Sequence, residues 1–419
     1  MNSIFFFNIL FMNFKVFDLH GKSVALSELL IVLSVFHLIL ILFFNKYNFK
    51  PNIIVAYYFL ILVIPVFSAL LSTDISEGVK SCIQLFVSSL FVFLIYTCAR
   101  YKYRTTYITA FISANLILAS VGIFQFIFIS YFGFTNRLLV YPFLDQTVKV
   151  QTLLYNYGPS SWRSPSLYFE PSIFGLYGTY AFLLVEYSNF RQRRLIKGIL
   201  FFGIISSLST SAFFILTICT VLQYLKTISR RFFQIKRILL LLVWFLIIIF
   251  LIHPFSPISA RVIRTFNKFD QLSAIGTSGY FRIIAPFQLA KYVATNYFFG
   301  IGIGNTDKFI EQHIDSDIAY FFQKTSGTVR TSIDNTAMLL FILFGYLSFV
   351  YLITLAIFFK RVMLKMDVSI VIYLILFHFA TGHLYTPFYW LIYVPLADHL
   401  VLPRLYSSNK RQKRKTINC

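Results

Sequence analysis

Gly198–Leu225 reads GILFFGIISSLSTSAFFILTICTVLQYL. This stretch decides the topology of the chain. A transmembrane helix needs about 20 apolar residues. The block is too long for one untilted span and short for two. Its centre is Ser206-Ser207-Leu208-Ser209-Thr210-Ser211. Small hydroxylated side chains satisfy backbone groups freed at a helix break inside a membrane. The expected arrangement is therefore two short helices meeting at the serines. Basic clusters outside the block test this. They are Lys46/Lys50, Arg100/Lys102/Arg104, Arg191/Arg193/Arg194/Lys197, Lys226/Arg230/Arg231/Lys236/Arg237, Lys360/Arg361/Lys365 and Lys410/Arg411/Lys413/Arg414/Lys415. With two spans at the serines every cluster falls on one side of the membrane, as the positive-inside rule requires of cytoplasmic loops. With one span they do not.

The remaining expected spans are Leu26–Phe44, Asn52–Ser72, Ser81–Ala99, Tyr107–Phe132, Pro171–Tyr187, Ile238–His253, Asn335–Phe359, Val368–His383 and Leu384–Leu402. Ile4–Phe14 is a short first span or an interfacial segment, without the features of a cleaved signal. The fold class is all-α, a single polytopic membrane domain over residues 1–419 with about eleven or twelve helices. Composition agrees, with 58% hydrophobic, 20% aromatic and only 12% charged residues. Soluble domains carry about 25% charged residues. The formal charge of +22 is dispersed in short inter-span clusters, which argues against nucleic acid. The four cysteines imply neither a metal site nor a disulfide framework.

Two longer polar loops face away from the basic clusters. They are residues 133–170 and 254–334, and a basic tail follows at 403–419. Tyr280–Phe299 is aromatic and amphipathic and is expected at the outer membrane interface. The first loop ends in Trp162-Arg163-Ser164-Pro165-Ser166-Leu167-Tyr168-Phe169-Glu170-Pro171-Ser172. Pro171 suits the first position of a helix. Glu170 then sits at its cap, where the helix dipole favours an anion. Arg163 and Glu170 either clamp each other or serve function, since ionisable groups at membrane depth usually do.

The second loop carries Arg282 among aromatic and apolar neighbours, then Gly300-Ile301-Gly302-Ile303-Gly304-Asn305. Arg282 either snorkels to headgroups or grips an anionic substrate with its planar fork. The glycine run lacks the spacing and strand–helix context of a dinucleotide fingerprint. Alternate glycines permit close backbone approach to a ligand, or a tight re-entrant turn. The loop ends in Thr331-Ser332-Ile333-Asp334-Asn335-Thr336. Asp334 or Ser332 caps the next helix, or Asp334 offers a carboxylate as general base. The seven histidines show no zinc spacing. His383, near Tyr385, is the one expected in an outer vestibule. Tyrosines near span ends are expected in the interface belt.

In this order, these stretches resemble the Wzy-type O-antigen polymerases and their O-antigen ligase relatives. The shared features are Arg163 before Glu170-Pro171-Ser172, the serine break Ser206–Ser211, Arg282, the turn Gly300–Asn305, and Asp334-Asn335 opening a span that contains Gly345. The resemblance runs over roughly residues 100 to 400. Many ligases carry a histidine where Asp334 stands, which favours polymerase.

The resemblance implies a GT-C-like glycosyltransferase in a bacterial inner membrane. It would polymerise undecaprenyl-diphosphate-linked repeat units at the periplasmic face into O-antigen or a related surface polysaccharide, within lipopolysaccharide or polysaccharide biosynthesis. It implies no metal, nucleotide sugar or other cofactor. Arg163 and Arg282 would stabilise the diphosphate leaving group, Glu170 would position Arg163 or a sugar hydroxyl, and Asp334 would act as base. Membrane lipids, a chain-length regulator and a flippase are the implied partners. The alternatives are an O-antigen ligase and a lipid-linked oligosaccharide flippase. A flippase should carry charge within several spans, and most spans here carry none.

Overall fold

The computed structural model describes residues 2–11, 15–19, 22–44, 63–70, 72, 74–99, 107–130, 132, 163–164, 166–168, 170–228, 283–312, 333, 335–382, 384 and 387–400. These residues form an all-α polytopic membrane protein. The helices are α1 (Asn2–Leu10), α2 (Leu26–Phe44), α3 (Ile75–Ala99), α4 (Tyr107–Ser130), α5 (Pro171–Leu184), α6 (Arg193–Ser206), α7 (Thr210–Ile228), α8 (Ala285–Asn296), α9 (Thr306–Gln312), α10 (Thr336–Phe344), α11 (Ser348–Lys365), α12 (Val368–Ala380), α13 (Pro387–Leu391) and α14 (Ala397–Leu400). A further helical turn covers residues 63–70. A small antiparallel hairpin, β1 (Lys15–Leu19) with β2 (Lys22–Ala25), precedes α2. Among the described residues, three helical stretches are long and apolar enough to span a bilayer: Ile75–Tyr96, Tyr107–Ile129 and Thr336–Lys365. Leu29–Leu40, Thr210–Tyr224 and Val368–Ala380 are shorter apolar helices. The expected span Ile238–His253, most of Asn52–Ser72 and the tail 403–419 lie outside the described residues.

The serine block folds as a helical hairpin. α6 runs antiparallel to α5. Lys197 lies 4.9 Å over the Phe182 ring near one end, Ile204 packs on Gly178, and Ser207 meets Gly175. The chain turns at Leu208, whose φ of +44° is left-handed. α7 then returns along α5. Ala212 packs on Gly175, its carbonyl accepts from Thr179 Oγ1 at 3.4 Å, and Gln223 reaches Ser369 Oγ at 3.0 Å. The serines fill the turn as hydrogen-bonding groups. Ser206 and Ser207 bond back to Gly203 and Ile204 carbonyls at 2.7 and 2.6 Å. Ser209 Oγ accepts from the Ala212 amide at 3.3 Å and caps α7. A helix end in hydrocarbon has no water to satisfy its free groups, so this density of hydroxyls is what permits the turn.

The expected span Asn335–Phe359 is broken as well. α10 ends at Gly345, whose φ is +54°, and a short 3-10 turn leads into α11. The carbonyls released there find partners at once. The Ile301 amide donates to Ile342 at 3.0 Å and the Gly302 amide to Leu343 at 3.2 Å. α10 is buried almost all round. Its cap corrects the sequence expectation of Asp334 or Ser332: the N-cap is Asn335, whose side chain accepts from the Met338 amide at 3.1 Å. The chain enters α10 one residue later than expected, so the cap geometry belongs to the carboxamide.

The expected continuous span Leu384–Leu402 is also corrected. Among the described residues it is α13, a 3-10 turn over Val394–Leu396, and α14. Pro387 and Pro395 each stand at a helix start, where the missing amide does least harm. Several tyrosines lie inside the bundle. Tyr107, Tyr168, Tyr177, Tyr180, Tyr373 and Tyr389 are fully buried. Phe111 packs on Tyr177 and Tyr180, and Tyr180 stacks on Tyr373 with ring centroids 4.8 Å apart. Phe377 continues the series to Tyr389. Ring–ring contact of this kind is favourable.

Candidate functional site

The segment before α5 is bound to the serine turn and to α4 by a buried hydrogen-bond network. Arg163 Nε donates to the Ser207 carbonyl at 3.3 Å. The Ser164 amide donates to the Ser206 carbonyl at 3.0 Å. Both acceptors lie at the C-terminal end of α6, which carries partial negative charge and favours a cation. Ser164 Oγ donates to Gln125 Oε1 at 2.9 Å, and Gln125 Nε2 donates to the Ser166 carbonyl at 3.1 Å. Ser166 Oγ donates to the Leu118 carbonyl at 2.6 Å. Ser166 has φ +55°, a conformation that costs a non-glycine residue energy and persists only when its surroundings impose it.

Glu170 is the N-cap of α5 in extended conformation, with Pro171 first in the helix, as the sequence indicates. Its carboxylate accepts from Ser172 Oγ. The starts of α5 and α7 meet at Gly175, where an added Cβ would lie 2.7 Å from Ser207 Oγ and 2.8 Å from the Ala212 side chain. Two helix N-termini and Arg163 therefore converge on one turn.

The glycine run forms a joint between elements. Gly300, Gly302 and Gly304 all have φ between +79° and +85°. A Cβ on Gly300 would lie 2.5 Å from the Leu343 carbonyl oxygen. One on Gly304 would lie 2.6 Å from the Glu77 carbonyl oxygen. Of the two uses read from the sequence, the close approach here is to the protein's own backbone, at the α10–α11 break and the start of α3. Asn305 Nδ2 donates to Ser72 Oγ at 2.5 Å and to the Ile301 carbonyl at 3.0 Å. The Ile303 amide donates to Ser68 Oγ at 3.0 Å. Lys308 in α9 pairs with Asp74 at the start of α3. The bond from Lys308 holds the Asp74 carboxyl below its usual range, and Asp74 raises the Lys308 ammonium.

The structure thus binds Arg163 to the serine turn, sets Glu170 at the start of α5 and places Gly300, Gly302, Gly304 and Asn305 in a separate joint. Arg282, Asp334, His383 and Tyr385 lie outside the described residues. Gln125 escaped the sequence reading. Its signal was a long carboxamide inside the largely apolar span Tyr107–Ser130, since polar side chains within a span serve interhelical contacts or function.

Long apolar helices, broken helices and buried polar turns define a polytopic membrane protein. The chain belongs to the WcaD colanic acid polymerase family, whose sequence model matches residues 4–399. It is accordingly a glycosyltransferase-type polysaccharide polymerase, in keeping with the Wzy-type resemblance. No curated protein sequence matches the chain significantly.

Proposed function

We propose that the protein polymerises undecaprenyl-diphosphate-linked repeat units at the periplasmic face of a bacterial inner membrane. The single observation that carries this reading is Arg163. A cation is held by Ser207 at the turn where the starts of α5 and α7 converge, which suits a diphosphate leaving group. An acceptor hydroxyl attacks the anomeric carbon of the donor glycan. The carbon–oxygen bond to the carrier diphosphate breaks, and the diphosphate leaves with the electron pair. Arg163 and Arg282 balance its charge, Glu170 positions Arg163 or a sugar hydroxyl, and Asp334 takes the hydroxyl proton. The basic clusters support a periplasmic position for the loops 133–170 and 254–334. Membrane lipids, a flippase and a chain-length regulator are the partners this role calls for.

The test is complementation of a deletion strain with Arg163→Ala or Arg282→Ala, with membrane insertion confirmed by blot and surface glycan resolved on gels. Loss of long chains with retention of single attached repeat units supports the reading. A normal ladder from both variants removes the arginines from the chemistry. Loss of the single-unit band as well points to a ligase or flippase instead.

A further inference from the structure

We infer that Gln125 is a positioning residue that sets the conformation of the Arg163 segment and thereby the affinity for a lipid diphosphate. This rests on the proposed role of Arg163.

Gln125 lies within α4 and is 1% exposed. Its carboxamide grips both arms of the turn that follows Arg163: Oε1 accepts from Ser164 Oγ and Nε2 donates to the Ser166 carbonyl. The assignment of its two ends is forced, because a carbonyl can only accept. Ser164 Oγ, having donated to Gln125, also accepts the Ser166 amide at 3.3 Å. Ser166 is thereby tied through its amide, its hydroxyl and its carbonyl while it holds φ +55°. Without the carboxamide, the buried Ser166 carbonyl would lose a donor and the Ser164 hydroxyl proton its acceptor, which is costly. The segment would relax toward ordinary φ. Ser164 is bonded to Arg163 and anchored beside it on α6 through the Ser206 carbonyl, so this relaxation displaces the guanidinium. Small misplacements of a positioning group cost about 100-fold in activity.

The experiment measures binding of undecaprenyl diphosphate to the full-length protein in detergent micelles, for wild type, Gln125→Met, Arg163→Ala and the double variant, with thermal unfolding followed in parallel. Methionine keeps the volume and removes both hydrogen bonds. Gln125→Met should weaken binding about tenfold, as expected for a lost buried polar contact, and the double variant should bind no worse than Arg163→Ala alone. Coupling of this kind separates action through Arg163 from general loosening, which would add its own loss. Wild-type affinity in Gln125→Met beside lost affinity in Arg163→Ala would overturn the inference and leave the arginine reading standing. Independent, additive losses would also overturn it. Wild-type affinity in Arg163→Ala would overturn both. Should Gln125→Met fail to fold, Ser164→Ala removes one of the same bonds and is judged by the same outcomes.

Discussion

At the scale of single residues, the two kinds of special position differ in what they hold. Arg163 is defined by chemistry. A guanidinium offers a planar fork of donors and stays charged when desolvated, which an ammonium does not reproduce. Arg163→Lys should therefore lower long-chain polymer almost as far as Arg163→Ala, at equal protein in the membrane. Glycan gels normalised to blot signal check this, and near-normal polymer from the lysine variant would leave a simple point charge as the requirement. Gly300 is defined by space and backbone. Its left-handed φ and the Leu343 carbonyl 2.5 Å from any added Cβ combine two penalties, about 1–2 kcal/mol for the conformation and about 1–3 kcal/mol for overpacking. Gly198 in α6 has nothing within 4 Å of such a Cβ. Gly300→Ala should lower the thermal midpoint in detergent by many degrees. Gly198→Ala should hold or raise it, in line with about 0.5–1 kcal/mol of helix preference.

At the scale of elements, helices are interrupted where the protein supplies replacement partners. The α6–α7 turn is satisfied by its own serines and by residues 163–164. The α10–α11 break is satisfied by residues 301–302. The Asp74–Lys308 pair then pins α9 to the start of α3. The lowered Asp74 pKa means that its contribution is complete above the ordinary carboxylate range and fades as pH falls through the lowered value. The raised Lys308 pKa means that its contribution is complete below the ordinary ammonium range and fades as pH rises through the raised value. Attachment of α9 is thus fullest around neutrality. Amide exchange over residues 305–312, corrected for the intrinsic pH dependence, should show protection falling in acid. Asp74→Asn should start from lower protection and show little further change. Equal acid sensitivity in Asp74→Asn would assign the effect to other groups.

At the scale of the whole molecule, the serine hairpin controls which compartment each loop faces. An even number of crossings at 198–225 would keep the basic clusters together and put both long loops on the other face. Single cysteines at Lys149 and Asp315, in a background without the native four, should react with an impermeant thiol reagent in intact cells with a permeabilised outer membrane. Labelling that needs lysis of the inner membrane would invert the topology and with it the site of polymerisation. α6 has 14 residues and so extends only about 21 Å, less than the hydrocarbon thickness of about 30 Å.

Hydropathy and loop charge by themselves determined the all-α membrane class, the break at Ser206–Ser211 and the start of α5 at Pro171. These follow from local rules: lipid demands long apolar segments, proline lacks an amide, and a helix end in hydrocarbon needs nearby hydroxyls. The order of short motifs also carried the family. Tertiary structure alone decided the interruption at Gly345, because its freed carbonyls are answered by residues more than 40 positions earlier in the chain. It alone decided that the glycine run packs on the protein's own backbone, that the tyrosines lie inside the bundle, and that Gln125 reaches across to Ser164 and Ser166. Each depends on which segments become neighbours, and hydrophobic packing in a bilayer, with no water-driven pattern of inward and outward faces, leaves little periodicity in the sequence from which to read those neighbours.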